Sequence, residues 1–461
     1  MYFILGLAVV LVLFEVTIIQ CECAWDESQT NRIRVDEPFV PNDLIEWIVS
    51  KCDFETIQKA IRWGIVPANG LVMSKICQDY IIEIEPEING EIYAYEKGNL
   101  YLNFGNYRGL KSFFDKFGDH VKRIEIWYNS TVIGVPRKEI NQNIIKKYAK
   151  NFEELRLRAR GDDDFWNDIA DGENDIIFPK VKKFLLVHRS TRTKLQLDSI
   201  FPKLESFKLI GSVADENCLA NVKGLKELRL CTQSIKEYQL NDIFTNNVNM
   251  TIIYIFMPNT VETVQSIAKY LTKLETLGVQ YPGGNFFLRT NNSAVYKFPS
   301  VIRFDIAFYE IGDIYGSPSF DMPNLKKLIL RGNRTDDRII NFINYFQKLE
   351  TVELLIKNYD SVKCIEKLEH IKEFTASFYK DGFDSLKNMF ENFDKKFKLQ
   401  TLRFLHFDES LYETYEAEMK KINFILEKSM KPTWTLSHGE HIGIEYLILR
   451  REPCKCKSCK K

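Results

Sequence analysis

The most reactive side chains in this sequence are the cysteines near its C-terminus. Cys454, Cys456 and Cys459 stand within six residues of one another and are interleaved with lysines. Neighbouring positive charge lowers the pKa of a thiol, so these side chains could bind zinc together with a fourth ligand, or form disulfides. Structural zinc takes four ligands, and this cluster supplies three. We therefore expect an oxidised tail or free thiols there, and no metal.

Other polar residues do not form a catalytic motif. His438 and His441 are the closest histidine pair, but Gly439 lies between them and no Glu-x-x-His frame accompanies them. Residues 161–175 hold seven carboxylates, whose spacing fails the calcium-loop pattern and is typical of a solvated insertion. The sequence contains neither a Gly-x-Ser-x-Gly elbow nor a glycine-rich phosphate loop. We expect no catalytic residue and no cofactor.

The charge balance bears on the class of partner. Lys and Arg total 63 and Asp and Glu total 63, so the formal net charge is zero. A protein that wraps nucleic acid carries an excess of basic residues, so we expect a protein partner and no nucleic acid. With 461 residues, of which 45% are hydrophobic, the chain is too long for one ordinary compact domain unless it is a repeat array or a large barrel.

The N-terminus has the pattern of an export signal. An apolar run from Phe3 to Phe14 has the length of a signal-peptide core, and Glu15 ends it. Cys21 and Cys23 fit the small-residue positions before a cleavage site. We expect residues 1–23 to be removed, the mature chain to be secreted, and no membrane segment to remain. The alternative interpretation is an N-terminal membrane anchor.

Secretion is compatible with two further features of the mature chain. Its eight cysteines are an even number, although they are too sparse for a disulfide scaffold. Four Asn-x-Ser/Thr sequences mark possible N-glycosylation sites. They begin at Asn129, Asn249, Asn291 and Asn333.

Most of the chain repeats one short pattern, apolar-x-x-apolar-x-apolar. Its first positions recur at intervals of 21–31 residues, except for a last interval of 45 that contains a helical pattern over 411–426. Segments between copies, such as 338–346, also have helical patterns. Each unit is therefore predicted to be a strand followed by a helix, which stacks on its neighbours because one unit cannot bury its apolar face alone. The first positions of the copies are Val121, Phe152, Val181, Leu204, Leu225, Met250, Leu274, Val301, Leu325, Leu349, Ile371, Leu399 and Ile444.

This pattern resembles the leucine-rich repeat family over residues 121–449. The resemblance implies an α/β solenoid with parallel β-strands on its concave face and helices outside. An asparagine commonly follows the last apolar position in the family. Here only Asn129 and Asn333 stand at that position, so the repeat is a degenerate one. Both asparagines also belong to glycosylation sequences, and a buried asparagine cannot carry a glycan.

Residues 36–80 resemble an F-box. A Val-Pro pair is followed by an acidic residue and by an apolar helical stripe, as in that family. The family's later Cys-x-x-Trp element is absent. The alternative is a plain helical cap that seals the open end of the solenoid. The residues expected to bind an adaptor of the Skp family are Val40, Pro41, Leu44, Ile45 and Ile48.

These features predict a signal peptide (1–23), an F-box-like helical module (36–80), a connecting segment (81–120), a solenoid (121–449) and a basic Cys-rich tail (450–461). The combination resembles secreted arthropod F-box and leucine-rich-repeat effectors. That resemblance implies a substrate adaptor that recruits a Skp–cullin ubiquitin ligase inside host cells and binds a target protein. The alternative is an extracellular leucine-rich-repeat binding module with a helical cap and no ubiquitin-ligase role.

The partner is expected on the strand face of the solenoid. Side chains between the apolar strand positions project from that face, because strand side chains alternate. The residues chosen on this basis mix both signs of charge. They are Lys208, Arg229, Ile329 and Glu353, with Glu125 and Arg156 nearer the first repeats.

Overall fold

The fold was examined in a computed structural model of the chain. The residues that it describes begin at Cys77 and end at Glu452. They are 77–78, 81–84, 99–101, 107–128, 137–159, 176–188, 195–213, 217–232, 235–258, 261–281, 296–308, 320–332, 339–356, 365, 367–368, 370–377, 398–405, 412–428, 433–441 and 444–452.

The described residues form an α/β architecture around one large sheet. Sixteen strands form this sheet. Every pair of neighbours from β2 to β16 is parallel. Over this part of the sheet the spatial order of the strands follows the sequence, except that β1 and β2 are exchanged. The strands of this sheet are β1 (Ile81–Ile84), β2 (Asn99–Tyr101), β3 (Arg123–Tyr128), β4 (Glu154–Ala159), β5 (Lys183–His188), β6 (Ser206–Gly211), β7 (Glu227–Cys231), β8 (Ile252–Pro258), β9 (Thr276–Tyr281), β11 (Arg303–Phe308), β13 (Lys327–Gly332), β14 (Thr351–Ile356), β15 (Glu373–Ser377), β16 (Thr401–Leu405), β17 (Trp434–His441) and β18 (Ile444–Arg451). Strands β10 (Tyr296–Lys297) and β12 (Phe320–Asp321) form a separate parallel pair.

Each copy of the apolar pattern falls on a strand, as predicted. The second and third apolar positions of a copy, such as Phe207 and Leu209 in β6, are fully buried, and the residue between them points to the other face. The register keeps these positions aligned across strands, with Phe207 opposite Leu228 and Leu209 opposite Leu230. One face of the sheet therefore supplies the core, and the residues between these positions line the other face.

Helices connect many of the strands. The described α-helices are α1 (Tyr107–Phe117), α2 (Arg137–Ile140), α3 (Leu197–Ile200), α4 (Glu237–Asn246), α5 (Val261–Tyr270), α6 (Ile339–Asn344) and α7 (Tyr412–Lys428). A 3₁₀ turn spans Gly118–His120, and a π-helix spans Asn141–Lys146. The helices predicted over 338–346 and 411–426 are confirmed as α6 and α7.

Backbone hydrogen bonds join each unit to the next at the start of its strand. The carbonyl oxygen of Glu205 accepts from the amides of Lys226 and Glu227 at 2.7 and 3.0 Å. The carbonyl oxygen of Lys226 accepts in the same way from Thr251 and Ile252 at 2.9 and 3.1 Å. This repeated pairing satisfies backbone groups just before the strands, where the chain turns into the sheet.

One buried asparagine adds a side-chain link between units. The Oδ1 atom of Asn247 accepts from the backbone N–H of Leu225 at 2.8 Å. Its Nδ2 atom donates to the carbonyl oxygens of Val222 and Ile243, both at 2.8 Å. Asn247 follows α4 and is 3% exposed, so it satisfies three backbone groups that water does not reach. The asparagines predicted for such a role, Asn129 and Asn333, lie outside the described residues.

The two ends of the sheet differ from the prediction. The segment 81–120, expected only to connect two domains, contributes β1, β2 and α1. At the other end, β18 pairs antiparallel with β16 and forms a hairpin with β17. The prediction of one more parallel strand at Ile444 is therefore wrong. Apolar alternation in a strand is the same for either direction, and here the hairpin covers the edge of β16.

Three other predictions fall on residues that are not described. The signal-peptide segment lies outside the described residues, as does the F-box-like segment apart from Cys77 and Gln78, and so do its expected adaptor-binding residues Val40, Pro41, Leu44, Ile45 and Ile48. The Cys-rich tail from Pro453 onward lies outside them too. Within the described residues, no helix is long and apolar enough to cross a membrane.

Candidate functional site

The candidate site lies on the face of the sheet opposite the core, which we call the open face. Each strand presents there the residue between its two buried apolar positions, and the parallel register places these residues in one row. Within that row Lys208, Arg229, Tyr254 and Gly278 are direct neighbours on β6 to β9. Residues two positions before or after them along the strands form the flanking rows.

A groove of about 540 Å³ crosses the centre of the open face. It extends over six neighbouring strands, from β6 to β13. This volume is within the range of small-molecule sites. The lining side chains that determine its chemistry are Lys208, Arg229, Tyr254, Arg303, Asp305 and Arg331.

An aromatic ring forms the middle of the groove. Tyr254 is only 5% exposed, and its ring lies across Gly278 on the next strand. A Cβ atom at Gly278 would lie 2.1 Å from Cδ1 of Tyr254, so glycine is required for this close approach. On the other side, the guanidinium of Arg229 stacks on the ring at 4.5 Å from its centroid. Burial raises the pKa of the Tyr254 hydroxyl, which keeps it protonated and able to donate a hydrogen bond.

A buried ion pair forms the second part of the groove. Nε and Nη2 of Arg331 donate to Oδ1 and Oδ2 of Asp305 at 3.1 and 3.3 Å. The Asp305 side chain is only 3% exposed, whereas that of Arg331 is 45% exposed. Burial raises the pKa of the Asp305 carboxyl, and the bonds from Arg331 oppose that rise. The Asp305 carboxylate is thus already paired with a cation, and part of the Arg331 side chain remains exposed in the groove.

Two further cations in the groove have no direct ion pair, and Glu227 and Asp305 act on them only at longer range. Among the described residues, neither Lys208 nor Arg303 forms an ion pair. Burial lowers the pKa of the Lys208 ammonium, and repulsion from Arg229 and the arginines of β4 lowers it further. The Nε atom of Arg303 is buried without a hydrogen-bond partner. Arg229, by contrast, donates from Nε to Glu227 at 2.5 Å. The groove is therefore locally cationic, although the chain as a whole is neutral.

Carboxylates flank the groove on both sides along the sheet. Toward the N-terminus, Glu125 is 1% exposed and is held by Arg156, at 3.2 Å, and by Arg158. Toward the C-terminus, Glu353 pairs with Lys327 at 2.5 Å. On both sides of the groove, these carboxylates are thus paired with cations of the same face.

The structure brings two of the four predicted face residues into the groove and separates the others from it. Lys208 and Arg229 line the groove, and Glu353 lies on β14 beyond it. Ile329 also stands in the middle row but is fully buried, so it offers no surface to a partner. The ion pairs of Lys327 with Glu353 and of Arg331 with Asp305 lie on either side of it. The expectation that Ile329 projects to a partner is therefore wrong.

Several residues of the groove were not among those predicted from the sequence. Tyr254 and Asp305 stand between the apolar positions of their own repeats, as Lys208 does, and Arg303 and Arg331 stand in the flanking rows. The same positional rule, applied to every copy of the pattern, would have found Tyr254 and Asp305. The flanking rows required the register between strands, which the sequence does not provide.

Other predicted sites lie elsewhere or outside the described residues. Asn249 is exposed in the turn before β8, and its Oδ1 accepts from Nζ of Lys273 at 2.7 Å. Asn129, Asn291 and Asn333 are not among the described residues. In the part of the chain that the structure describes, no three His, Cys, Asp or Glu side chains converge on a possible metal position.

No protein-family model matches the sequence, and the search of curated proteins found no match.

Proposed function

We propose that this chain is a degenerate leucine-rich-repeat solenoid that binds a protein partner on its open face, and that this face is concave. The single observation that carries the proposal is the row of polar and aromatic side chains, in register across parallel strands, around a groove of about 540 Å³. An α-helix is about 10 Å wide, whereas neighbouring strands stand about 4.8 Å apart, so stacked strand–helix units curve with the strands inside.

The proposed role is that of a secreted substrate adaptor. The N-terminal module would recruit a Skp–cullin ubiquitin ligase, and the open face would hold the target protein. Support for the ligase half comes from the sequence alone, through Pro41 and the apolar stripe that begins at Leu44. Support for the target half comes from the groove and from the Lys208 and Arg229 side chains that line it. The chain itself catalyses no reaction in this proposal.

A second candidate function is an extracellular binding module without a ligase role. The observation that favours it is the exposed Asn249, which begins a glycosylation sequence. Here the N-terminal helices would only cap the solenoid. The two candidates share the binding face and differ in the N-terminal module.

The two candidates are separated by measuring adaptor binding. We expect the full mature chain to bind a purified Skp-family adaptor, and Pro41→Ala combined with Leu44→Asp to abolish this binding while the far-ultraviolet circular dichroism is unchanged. If the folded wild-type chain binds no Skp-family adaptor, the ligase role fails and the extracellular module remains.

Target binding is measured separately, with variants in which a charged side chain is replaced by a neutral one. Reversal of Lys208 and Arg229 to glutamate would weaken target binding but would also destabilise the fold, because both side chains are half-buried and Arg229 bonds Glu227 and stacks on Tyr254. Lys208→Gln is therefore the cleaner change. It should weaken target binding and shift stability by less than about 0.5 kcal/mol.

A further inference from the structure

We propose that the groove binds a short acidic segment of the partner, in which Asp or Glu carboxylates occupy the space between Lys208 and Arg303. This inference rests on the proposed function, because it assumes that the open face is the binding face. It adds the chemical class of the partner segment that the groove binds.

The charge balance of the groove is the first argument. Four cationic side chains line it, namely Lys208, Arg229, Arg303 and Arg331, and Asp305 is the carboxylate among the lining residues. Asp305 already forms an ion pair with Arg331, and Arg229 forms one with Glu227. Lys208 and Arg303 are left without an ion pair among the described residues. Partly buried charge without a directly paired counter-ion is costly, and an incoming carboxylate would lower that cost.

The second argument concerns Arg303, the first residue of β11. The buried Nε of Arg303 has no hydrogen-bond partner, although buried polar atoms are nearly always satisfied. The planar guanidinium fork matches the two oxygens of a carboxylate, and charge-assisted bonds of this kind are the strong ones. Arg303 therefore has unused donor capacity beside a groove. A carboxylate at this position would satisfy it.

The extent of the cationic region indicates a short segment. From β6 to β13 the groove crosses five strand-to-strand steps, which is about 24 Å and equals about seven extended residues. Beyond it, Glu125 and Glu353 lie in the same row on the two sides. A nucleic acid strand continuing in either direction would pass onto charges that are already paired within the sheet and would gain no free cation there, whereas an acidic peptide of this length needs no more than the groove. The favoured occupant is therefore a peptide segment with an acidic centre.

Tyr254 suits such a segment as well. Its ring is fixed between Arg229 and Gly278, and it offers an apolar surface in the middle of the cationic region. An aromatic or aliphatic residue between the acidic ones could pack there. Rigid tyrosine and arginine side chains of this kind are typical of residues that carry binding energy.

The test uses the full mature chain and a fluorescein-labelled peptide, Gly-Glu-Glu-Phe-Glu-Glu-Gly. The matched control peptide has Gln in place of every Glu. Binding is followed by fluorescence anisotropy in about 50 mM NaCl and again in about 500 mM, because salt screens exposed charges. We expect the Glu peptide to bind at least about tenfold more tightly than the Gln peptide, and high salt to remove most of the difference.

Variants of the chain then locate the site. Arg303→Gln should weaken binding of the Glu peptide about tenfold, and Arg303→Lys should restore part of it. The control Lys203→Gln removes one positive charge from an exposed turn before β6 and should leave binding unchanged. Arg303→Gln should also leave the thermal midpoint unchanged or raised, since it removes an unsatisfied buried donor. A loss of binding through misfolding would instead lower that midpoint.

Several results would overturn the proposal. Equal binding of the Glu and Gln peptides would do so, as would equal effects of Arg303→Gln and Lys203→Gln. Tighter binding of a labelled seven-nucleotide oligo-dT, lost in Arg303→Gln, would assign the groove to nucleic acid. If the Glu peptide binds only after the carboxylates of residues 161–175 are changed to amides, the occupant is the chain's own acidic stretch.

Crosslinking distinguishes failure of the acidic-segment proposal from failure of the proposed function. If a protein partner crosslinks to the open face while both peptides bind equally, the binding face stands and only the acidic class is refuted. If the partner crosslinks to the helices, both proposals fail together.

Discussion

The close packing of Tyr254 on Gly278 gives a quantitative test of the groove. In Gly278→Ala the new Cβ would lie 2.1 Å from Cδ1 and 2.6 Å from Cε1 of Tyr254. The ring must move by about 1.4 Å to reach an ordinary carbon–carbon contact of about 3.5 Å. Tyr254 is nearly buried and stacked under Arg229, so it has little space to yield. We expect overpacking to cost about 1–3 kcal/mol of unfolding free energy.

A double-mutant cycle isolates this contact from other effects of the substitution. In a Tyr254→Ala background the obstacle is gone, and Gly278→Ala should cost nothing or stabilise by about 0.5–1 kcal/mol, because glycine is unfavourable in a strand. The coupling energy between the two positions is then about 2 kcal/mol, which is typical of residues in contact. Urea unfolding followed by far-ultraviolet circular dichroism measures all four proteins.

A second glycine supplies the matched control. A Cβ at Gly332 would lie 2.0 Å from Cε2 of Phe308. The same close contact between a glycine and an aromatic ring on the neighbouring strand thus occurs elsewhere on the sheet. Gly332→Ala should therefore cost the same amount whether position 254 is tyrosine or alanine. If Gly278→Ala costs equally in both backgrounds, the ring does not lie on this glycine and the described groove is wrong.

Two further predictions concern the stability of single units. Asn247→Ala should lower the unfolding free energy by about 2–3 kcal/mol, because it leaves three backbone groups without their partner, whereas Asn249→Ala in the exposed turn should cost less than about 0.5 kcal/mol in the same urea experiment. Equal costs would contradict the buried role of Asn247. For Asp305 the raised pKa means that the folded chain takes up the proton at higher pH than the unfolded chain. Its contribution to stability should therefore grow as the pH falls through the raised pKa toward the ordinary carboxyl pKa of about 3.9, and thermal midpoints over that interval should show the wild type gaining relative to Asp305→Asn. A relative loss over that interval would show that the carboxylate is favoured as the anion by Arg331.

The parallel strands could be predicted because the repeat places large apolar residues at fixed spacing. Val181, Phe184 and Leu186 are all fully buried, or nearly so, and the same is true in the copy at Val301. A strand needs only this local alternation, and its position in the sheet follows from sequential stacking. The direction of the last strand could not be predicted, because alternation at Leu447 and Leu449 fits a hairpin equally well.

The binding groove was only partly predictable for a different physical reason. Its side chains come from strands that are 21–27 residues apart in sequence, and they meet only when the register is known. Lys208 and Arg229 were found because their repeats are regular. Ile329 was placed on the surface by the same rule, but ion pairs of longer side chains on both sides of it exclude solvent. Exposure on a crowded sheet face depends on neighbours, which no single repeat reveals.

The most direct test of the central claim is site-specific photo-crosslinking of a bound protein partner. A benzophenone side chain is introduced at Lys208 on the open face and, in a second protein, at Asp242 on the exposed side of α4. If the open face binds the partner, irradiation of the native complex should give a crosslinked product from position 208 and none from position 242. A product from position 242 alone would place the partner on the helices and contradict the account.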